Sequence, residues 1–341
     1  MVDTAQAVAQ LWLGGSDFRA EHVDLPEIAD GELLIALSVA AVCGSDRHTV
    51  TGRRPGPYPS ILGHEGVGTV VAGHRPGIAV GDRVVFSVTD SCGNCPRCRA
   101  GLSAKCISVR KVGHEPYGGN WLLNGTYASH IHIQSGQAVE VLPDHVTDDA
   151  AAVAGCSIAT VMAALEKAGP LRDRTVLING LGMLGLSAVV AARAAGAARV
   201  IAVDPDEQAR AVAKGLADET VAALVPGTVV DVALELSGVR AGVQAAVGAL
   251  DLGGVAVLAG SVAPTSPVDV DPEWVVRGWR TITGVHNYEP RHLGAAVSFL
   301  EEHQNVLPWE EIIGHRYGLA GLPDAFLSAS TGLRDVIDLR R

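Results

Sequence analysis

Aromatic residues are scarce in this chain: four Phe, five Tyr and five Trp make up 4% of its 341 residues. Its core must therefore be packed mainly from Ala, Val, Leu and Ile. Charged residues reach only 18%, and acids outnumber bases to give a net charge of −11. No basic run is present, so the electrostatic footprint of a nucleic-acid binder is missing and a small-molecule partner is expected. Long apolar runs are missing too. The most apolar stretch, residues 184–203, is interrupted by Arg193, Gly196 and Arg199, which excludes a membrane-spanning helix there. Residues 1–20 lack the basic start and continuous apolar segment of a secretion signal, so a cytoplasmic protein is expected. Neither an internal repeat nor a low-complexity tract occurs. A hydrophobic share of 48% argues against disorder, and the length suits two domains.

The first part of the chain reads as β-rich. Short apolar segments at 32–39, 68–71 and 83–88 are punctuated by Gly and Pro, as in a barrel-like or sandwich-like domain. The character changes near residue 148. Residues 150–168 are Ala-rich and helical in pattern. Strands are then expected at 175–179, 199–203, 231–236 and 254–259, with helices at 183–196, 206–216 and 241–250 between them. Fully apolar strands alternating with helices imply a parallel, doubly wound sheet. One further strand falls within 217–228. Beyond residue 286 the alternation stops, and one amphipathic helix is expected at 291–303.

Asn179-Gly180-Leu181-Gly182-Met183-Leu184-Gly185 is a G-x-G-x-x-G turn between an expected strand and an expected helix. Such glycines permit a tight turn and let backbone N–H groups approach a pyrophosphate at the helix N-terminus. Gly180, Gly182, Met183, Leu184 and Gly185 are therefore candidate dinucleotide contacts. Asp204 closes the next strand, where a carboxylate accepts hydrogen bonds from ribose hydroxyls and repels a 2′-phosphate. That pattern favours NAD over NADP. The bland alternative is a glycine turn that only packs helix on strand, with Asp204 as a helix cap.

Six cysteines are present. Cys92, Cys95, Cys98 and Cys106 have the spacing C-x2-C-x2-C-x7-C, which suits a tetrahedral zinc with no open position and hence a structural role. Disulfides fit a cytosolic chain poorly, and no electron-transfer partner is evident for an iron–sulfur cluster. Cys43 and Cys156 remain. With His64 they supply three candidate ligands, leaving a fourth position for water or an alcohol oxygen, as a catalytic zinc requires. Taken singly, a buried Cys is usually a small hydrophobe and a His-Glu pair a solvated surface feature.

Together these residues resemble the zinc-dependent medium-chain alcohol dehydrogenases. The likeness rests on Val42-Cys43-Gly44-Ser45-Asp46, on Gly63-His64-Glu65-Gly66-Val67-Gly68, on the four-cysteine lobe and on the Gly180–Gly185 turn, in that family's order. It implies an α/β chain with a GroES-like, β-rich catalytic domain at 1–149, carrying a structural zinc lobe at about 90–110. A Rossmann domain with a doubly wound parallel sheet would follow at 150–285, and 286–341 would return to the catalytic domain. It also implies two zinc ions and NAD per chain. Cys43, His64 and Cys156 would hold the catalytic zinc, with Glu65 entering its shell transiently. Asp46 would orient His64, Ser45 would bond the substrate hydroxyl, and His48 would end the proton relay. Members usually form homodimers or homotetramers through the Rossmann domain, and an apolar edge near 284–285 is compatible with that.

A narrower likeness joins Gly260-Ser261-Val262-Ala263-Pro264, Asp271-Pro272-Glu273 and Gly284-Val285-His286-Asn287-Tyr288 to alcohol dehydrogenases associated with phosphonate catabolism. It implies a hydroxylated phosphonate or another anionic alcohol as substrate. Arg53 and Arg54 are candidate anchors for such a group, against the plainer reading of a solvated charge pair. Trp121, Trp279, His286 and Asn287 are further pocket candidates. Three rivals are weighed. A zinc-free reductase of the same fold is opposed by Cys43, His64 and Cys156. A zinc-stabilised NADH sensor without turnover is opposed by Ser45 and His48. A zinc-ribbon nucleic-acid binder is opposed by the net charge.

Overall fold

The computed structural model describes residues 6–340. They fall into two compact units. The first comprises 1–156, 289–302 and 313–341, and the second 157–288 and 303–312. The first unit thus runs beyond the expected residue 149 to include Cys156, and 303–312 belongs with the second rather than with the returning segment.

The first unit is built on a seven-stranded sheet. Strand Leu33–Ala41 lies at its centre, flanked by Gly66–Gly73, by His130–Ile133 and by the C-terminal strand Arg334–Asp338. It is buried on both faces. Leu33, Ile35 and Leu37 enter one cluster with Val70, Phe86 and Ile131, while Leu34 enters another with Leu11 and Ile61. The period-2 alternation of a strand sends neighbouring side chains to these separate cores. The C-terminal strand pairs antiparallel with it through Val336–Ala41 and Ile337–Ala40. Residues 334–338 are therefore part of the interior of the first unit.

The second unit holds a six-stranded, all-parallel sheet. Its order is Glu219–Val221, Arg199–Val203, Thr175–Asn179, Val230–Glu235, Leu250–Leu258, Thr281–Gly284. The chain starts at the third position, winds outward one way and then the other, which is the dinucleotide-binding order with its switch point at Thr175–Asn179. The strand expected within 217–228 is Glu219–Val221, and the edge strand Thr281–Gly284 was not among the expected strands. Leu177, Ile201, Ala233, Val243, Ala246 and Ala256 pack its core, where small side chains replace the missing aromatics. No helix among the described residues is long and apolar enough to cross a membrane.

The glycine turn shows why its residues cannot be larger. Gly180 has φ +98°, a left-handed conformation that favours glycine, and a Cβ there would lie 2.6 Å from the Ser237 nitrogen. A Cβ on Gly185 would lie 1.9 Å from the Gly180 carbonyl oxygen. Gly182 differs, since nothing occupies the space within 4 Å of its Cβ position. Two glycines pack protein on protein, and the one between them leaves backbone open to a ligand. Gly185→Ala should lower stability by about 1–3 kcal/mol through overpacking and weaken NADH binding. Thermal melting and NADH fluorescence titration measure both, and unchanged NADH affinity would remove the turn from the binding site.

Candidate active site

Three segments of the first unit converge on one buried point. Strand Leu33–Ala41 ends and Cys43 becomes the N-cap of helix Gly44–Val50. The Asp46 carboxylate closes the cap by accepting from the Cys43 N–H at 3.1 Å. His64 and Glu65 lie just before strand Gly66–Gly73, both buried. Cys156 sits in a π-helical turn, Ala154–Ile158, between helices Asp148–Ala152 and Ala159–Ala168. The expected single helix over 150–168 is thus interrupted where the thiol is presented, a distortion common at functional sites.

The ligand atoms of Cys43, His64, Glu65 and Cys156 all lie within 4.8 Å of one another. Asp46 Oδ1 is 3.2 Å from His64 Nδ1, an ion-pair contact rather than an aligned hydrogen bond. Ser45 Oγ is 3.3 Å from Nε2 on the opposite side of the ring. Asp46 thereby orients the imidazole with Nε2 toward the cluster. Its other oxygen accepts from the buried Tyr127 hydroxyl at 2.8 Å. The Cys43 thiol is held well below its ordinary value by the hydrogen bond from Cys156, against burial and with help from Arg334 and His64. Two thiols, an imidazole and a carboxylate gathered in one largely buried cluster are a donor set that suits zinc.

Arg334 and Tyr127 belong to this site and no motif in the sequence marks either. Arg334, on the C-terminal strand, places Nη2 3.3 Å from Glu65 Oε1 and donates from Nη1 to the Val42 carbonyl at 3.1 Å. Both side chains of the ion pair are buried. His114 also adjoins the cluster, its ring centroid 5.1 Å from that of His64. Gly113 makes this approach possible: its φ is +70°, and a Cβ would lie 2.2 Å from the Gly63 carbonyl oxygen. Ser45 and His48 stand one turn apart on their helix but are not hydrogen-bonded to each other. His48 titrates below its ordinary 6.5, through burial and then Arg53 and Arg54, against Cys43.

Cys92, Cys95, Cys98 and Cys106 also gather within 4.8 Å. Sulfur separations are 3.5 Å for Cys95–Cys98, 3.9 Å for Cys95–Cys106 and 3.4 Å for Cys106–Cys92, and none is bonded as a disulfide. Tetrahedral zinc with bonds near 2.3 Å implies sulfur separations of about 3.8 Å, so the lobe fits that ion. In the second unit, Gly182 caps helix Met183–Ala194 without a side-chain partner, leaving the first N–H groups of that helix free for an anion. Asp204 Oδ2 accepts from Leu181 N–H at 2.7 Å, so this carboxylate also anchors the glycine turn. Of the remaining candidates, Trp121 is buried and donates to the His132 carbonyl, whereas Trp279 is 86% exposed. Asp271 caps helix Pro272–Arg277.

Removing Arg334 alone leaves the Glu65 carboxylate buried without its ion pair. Arg334→Met should therefore destabilise the protein by about 3–5 kcal/mol. The double variant Arg334→Met/Glu65→Gln should recover part of that loss in denaturant unfolding. Equal losses in single and double variants would mean that the pair is not the source.

Comparison with known proteins bears on the whole chain. Residues 29–144 match the model of the alcohol dehydrogenase GroES-like domain, and residues 184–302 that of the zinc-binding dehydrogenases. The chain is 30% identical to L-threonine 3-dehydrogenase of Aeromonas salmonicida over 91% of its own length and 92% of that enzyme's. It is 34% identical to 5-exo-hydroxycamphor dehydrogenase of Pseudomonas putida over 54% of each chain. A crystal structure of an alcohol dehydrogenase from Thermotoga maritima superposes with a TM-score of 0.89 at 26% identity, covering 98% of this chain and 99% of that one. The order of the parallel sheet, the two cysteine-rich donor clusters and these likenesses agree, and the chain belongs to the zinc-dependent medium-chain alcohol dehydrogenase family.

Proposed function

We propose that this protein interconverts an alcohol and its aldehyde or ketone with NAD(H), using one catalytic and one structural zinc ion. The observation that carries the reading is the buried convergence of Cys43, His64, Glu65 and Cys156 beside a hydroxyl, Ser45. Cys43, His64 and Cys156 would hold the catalytic ion, with Glu65 at its margin, and Cys92, Cys95, Cys98 and Cys106 the structural one. Bound there, zinc supplies Lewis acidity that lowers the pKa of an alcohol hydroxyl. NAD supplies the hydride acceptor.

The residues of the chain do the rest. Ser45 would give up its own hydroxyl proton as it takes the one from the alcohol. His48, not hydrogen-bonded to Ser45, would be the outer end of the relay, reached through the nicotinamide ribose of bound NAD, and burial with Arg53 and Arg54 holds its pKa down so that the ring can accept. Asp46 holds the tilt of His64, and Tyr127 holds Asp46. Arg334 keeps the Glu65 carboxylate in place.

The reading assigns the first unit to catalysis and the second to the dinucleotide. Met183, Leu184 and Gly185 offer N–H groups to the pyrophosphate, while Asp204 favours the free ribose hydroxyls of NAD over a 2′-phosphate. Arg210, the cation near that carboxylate, is engaged through Nη1 with the carbonyls of Asp204 and Pro205. We read the enzyme as a cytoplasmic homo-oligomer, dimer or tetramer, and the narrower likeness offers a hydroxylated phosphonate or another anionic alcohol as substrate.

NADH formation across primary, secondary, polyol and anionic alcohols, with and without chelator, tests the reading. Chelator-sensitive turnover is expected for NAD and not for NADP. Cys43→Ala should abolish turnover and keep NADH binding; wild-type-like turnover would reject the catalytic site. His48→Gln should lower kcat by on the order of a hundredfold. In the wild type, kcat should fall with pH only below the ordinary histidine range, because burial, Arg53 and Arg54 hold the His48 imidazole down and delay its protonation. That fall should disappear in His48→Gln, and its persistence would assign it to another group.

A further inference from the structure

The first unit contains a pocket of about 200 Å³ whose lining includes Thr49, Arg54, Leu62, Lys111, His114 and Glu115. Two of its walls belong to the segments that carry the donor cluster. Arg54 N–H donates to the His48 carbonyl at 3.0 Å, which ties its loop to the helix bearing Ser45. Lys111 ends strand Arg110–Lys111, and its carbonyl accepts from the His114 N–H at 3.1 Å. The Gly113 contact with Gly63 then sets this turn against the His64 segment. His114, whose ring centroid lies 5.1 Å from that of His64, is also part of the lining.

The charges of this pocket are unbalanced. Arg54 and Lys111 are both half-buried, and neither forms a salt bridge among the described residues. Glu115 is the one acid in the lining, and it accepts from the Lys111 backbone N–H at 2.8 Å. Two cations therefore face one carboxylate across a recess half withdrawn from water. Burial, then Lys105 and Arg54, push the Lys111 ammonium down to about 8, and Glu115 only partly offsets them. A protein holds like charges together in this way at a cost, which a bound anion would relieve. Arg53, by contrast, is exposed and outside the lining.

We propose that Arg54 and Lys111 form a subsite for an anionic group of the substrate, so that the enzyme selects alcohols bearing a carboxylate, sulfonate, phosphate or phosphonate. The inference rests on the dehydrogenase reading and names the substrate class of that site. It separates the two neighbouring arginines, giving Arg54 to the substrate and Arg53 to solvent, and it pairs Arg54 with a lysine far away in sequence. Guanidinium and ammonium together supply a forked and a rotatable set of donors, which suits an anion with several oxygens.

The test compares kcat/KM for hydroxyalkylcarboxylates and hydroxyalkylphosphonates, each against the neutral amide or ester of the same skeleton, with the zinc-loaded enzyme and NAD. The wild type should prefer the charged member of at least one pair, and the better pair tells carboxylate from phosphonate. Lys111→Met and Arg54→Met should each lower the charged-to-neutral ratio roughly ten- to a hundredfold, the worth of one charge-assisted hydrogen bond. Lys111→Arg should restore most of that ratio, and Arg53→Met should keep it. KM for the charged substrate should climb above about pH 8 in the wild type, as Lys111 loses its proton, and stay level in Lys111→Arg. Zinc content and melting temperature exclude misfolding. A wild type indifferent to charge, or a ratio unchanged in both Met variants, overturns the subsite. If no alcohol is oxidised, the dehydrogenase reading fails by itself, and the rise in melting temperature with methylphosphonate or acetate still decides: loss of that rise in Lys111→Met supports the subsite, and no rise in the wild type overturns it.

Discussion

Strand Arg334–Asp338 hydrogen-bonds to strand Leu33–Ala41, and the surroundings of the Cys43, His64, Glu65 and Cys156 cluster depend on that pairing. It places Arg334 behind Glu65 on one side and Asp335 against Arg47 on the other. Arg47 belongs to helix Gly44–Val50, the helix that Cys43 caps and that carries Ser45 and His48. The last residues of the chain thereby brace residues near its start. Without them Glu65 would be a buried carboxylate lacking its cation, which is among the costlier defects a core can hold. Asp335 is itself fully engaged, accepting also from Ser330 and from the His315 backbone. These contacts tie the late segment of the first unit to its early one.

The donor cluster poses an electrostatic problem that its surroundings answer residue by residue. The Cys43 thiol, held well below its ordinary value, and the Glu65 carboxylate lie together in a buried place, while the Cys156 thiol is pushed up. Arg334 compensates from one side. Asp46 and Tyr127 organise the other, turning His64 so that Nε2 faces inward. Asp46 has a second task, since the same carboxylate caps the helix through the Cys43 N–H. One side chain thus fixes both the N-terminus of the helix and the tilt of a ligand, and a change there acts on both at once. The recess formed by Arg54 and Lys111 carries the opposite sign one ring away from the cluster.

The second unit solves a simpler problem. The middles of its central strands are apolar, its helices are rich in Ala, and mostly aliphatic side chains fill the space between helix and sheet. The glycine turn divides its labour, with Gly180 and Gly185 tight against the protein and Gly182 open. Asp204 anchors the turn by accepting from the Leu181 N–H.

Much was legible in the sequence because the relevant signals are local. Strands Thr175–Asn179 and Arg199–Val203 read correctly to the residue, since an apolar run between glycine-rich turns has one reading inside a parallel sheet. The four-cysteine lobe was legible for the same reason: its ligands lie within one short loop, so spacing and geometry are nearly the same information. Edge strand Thr281–Gly284, half exposed and with two threonines in its four residues, carried too weak a signal to be placed. Tertiary structure alone decided the rest. The π turn at Cys156 breaks a stretch whose composition is helical throughout, because presenting a thiol to the cluster outweighs local propensity. Arg334 and Tyr127 carry no motif, and Lys111 looks like any surface lysine. Each acquires its role from a partner far away in sequence, Glu65, Asp46 and Arg54 respectively. Arg53 and Arg54 are adjacent in sequence and indistinguishable there, and only the fold of their loop sends one to water and the other into a pocket. Sequence determined which chemistry the chain can carry, because ligand types and turn residues are local choices. Structure decided which charges face which, because burial and charge pairing are properties of the packed chain and of no segment taken alone.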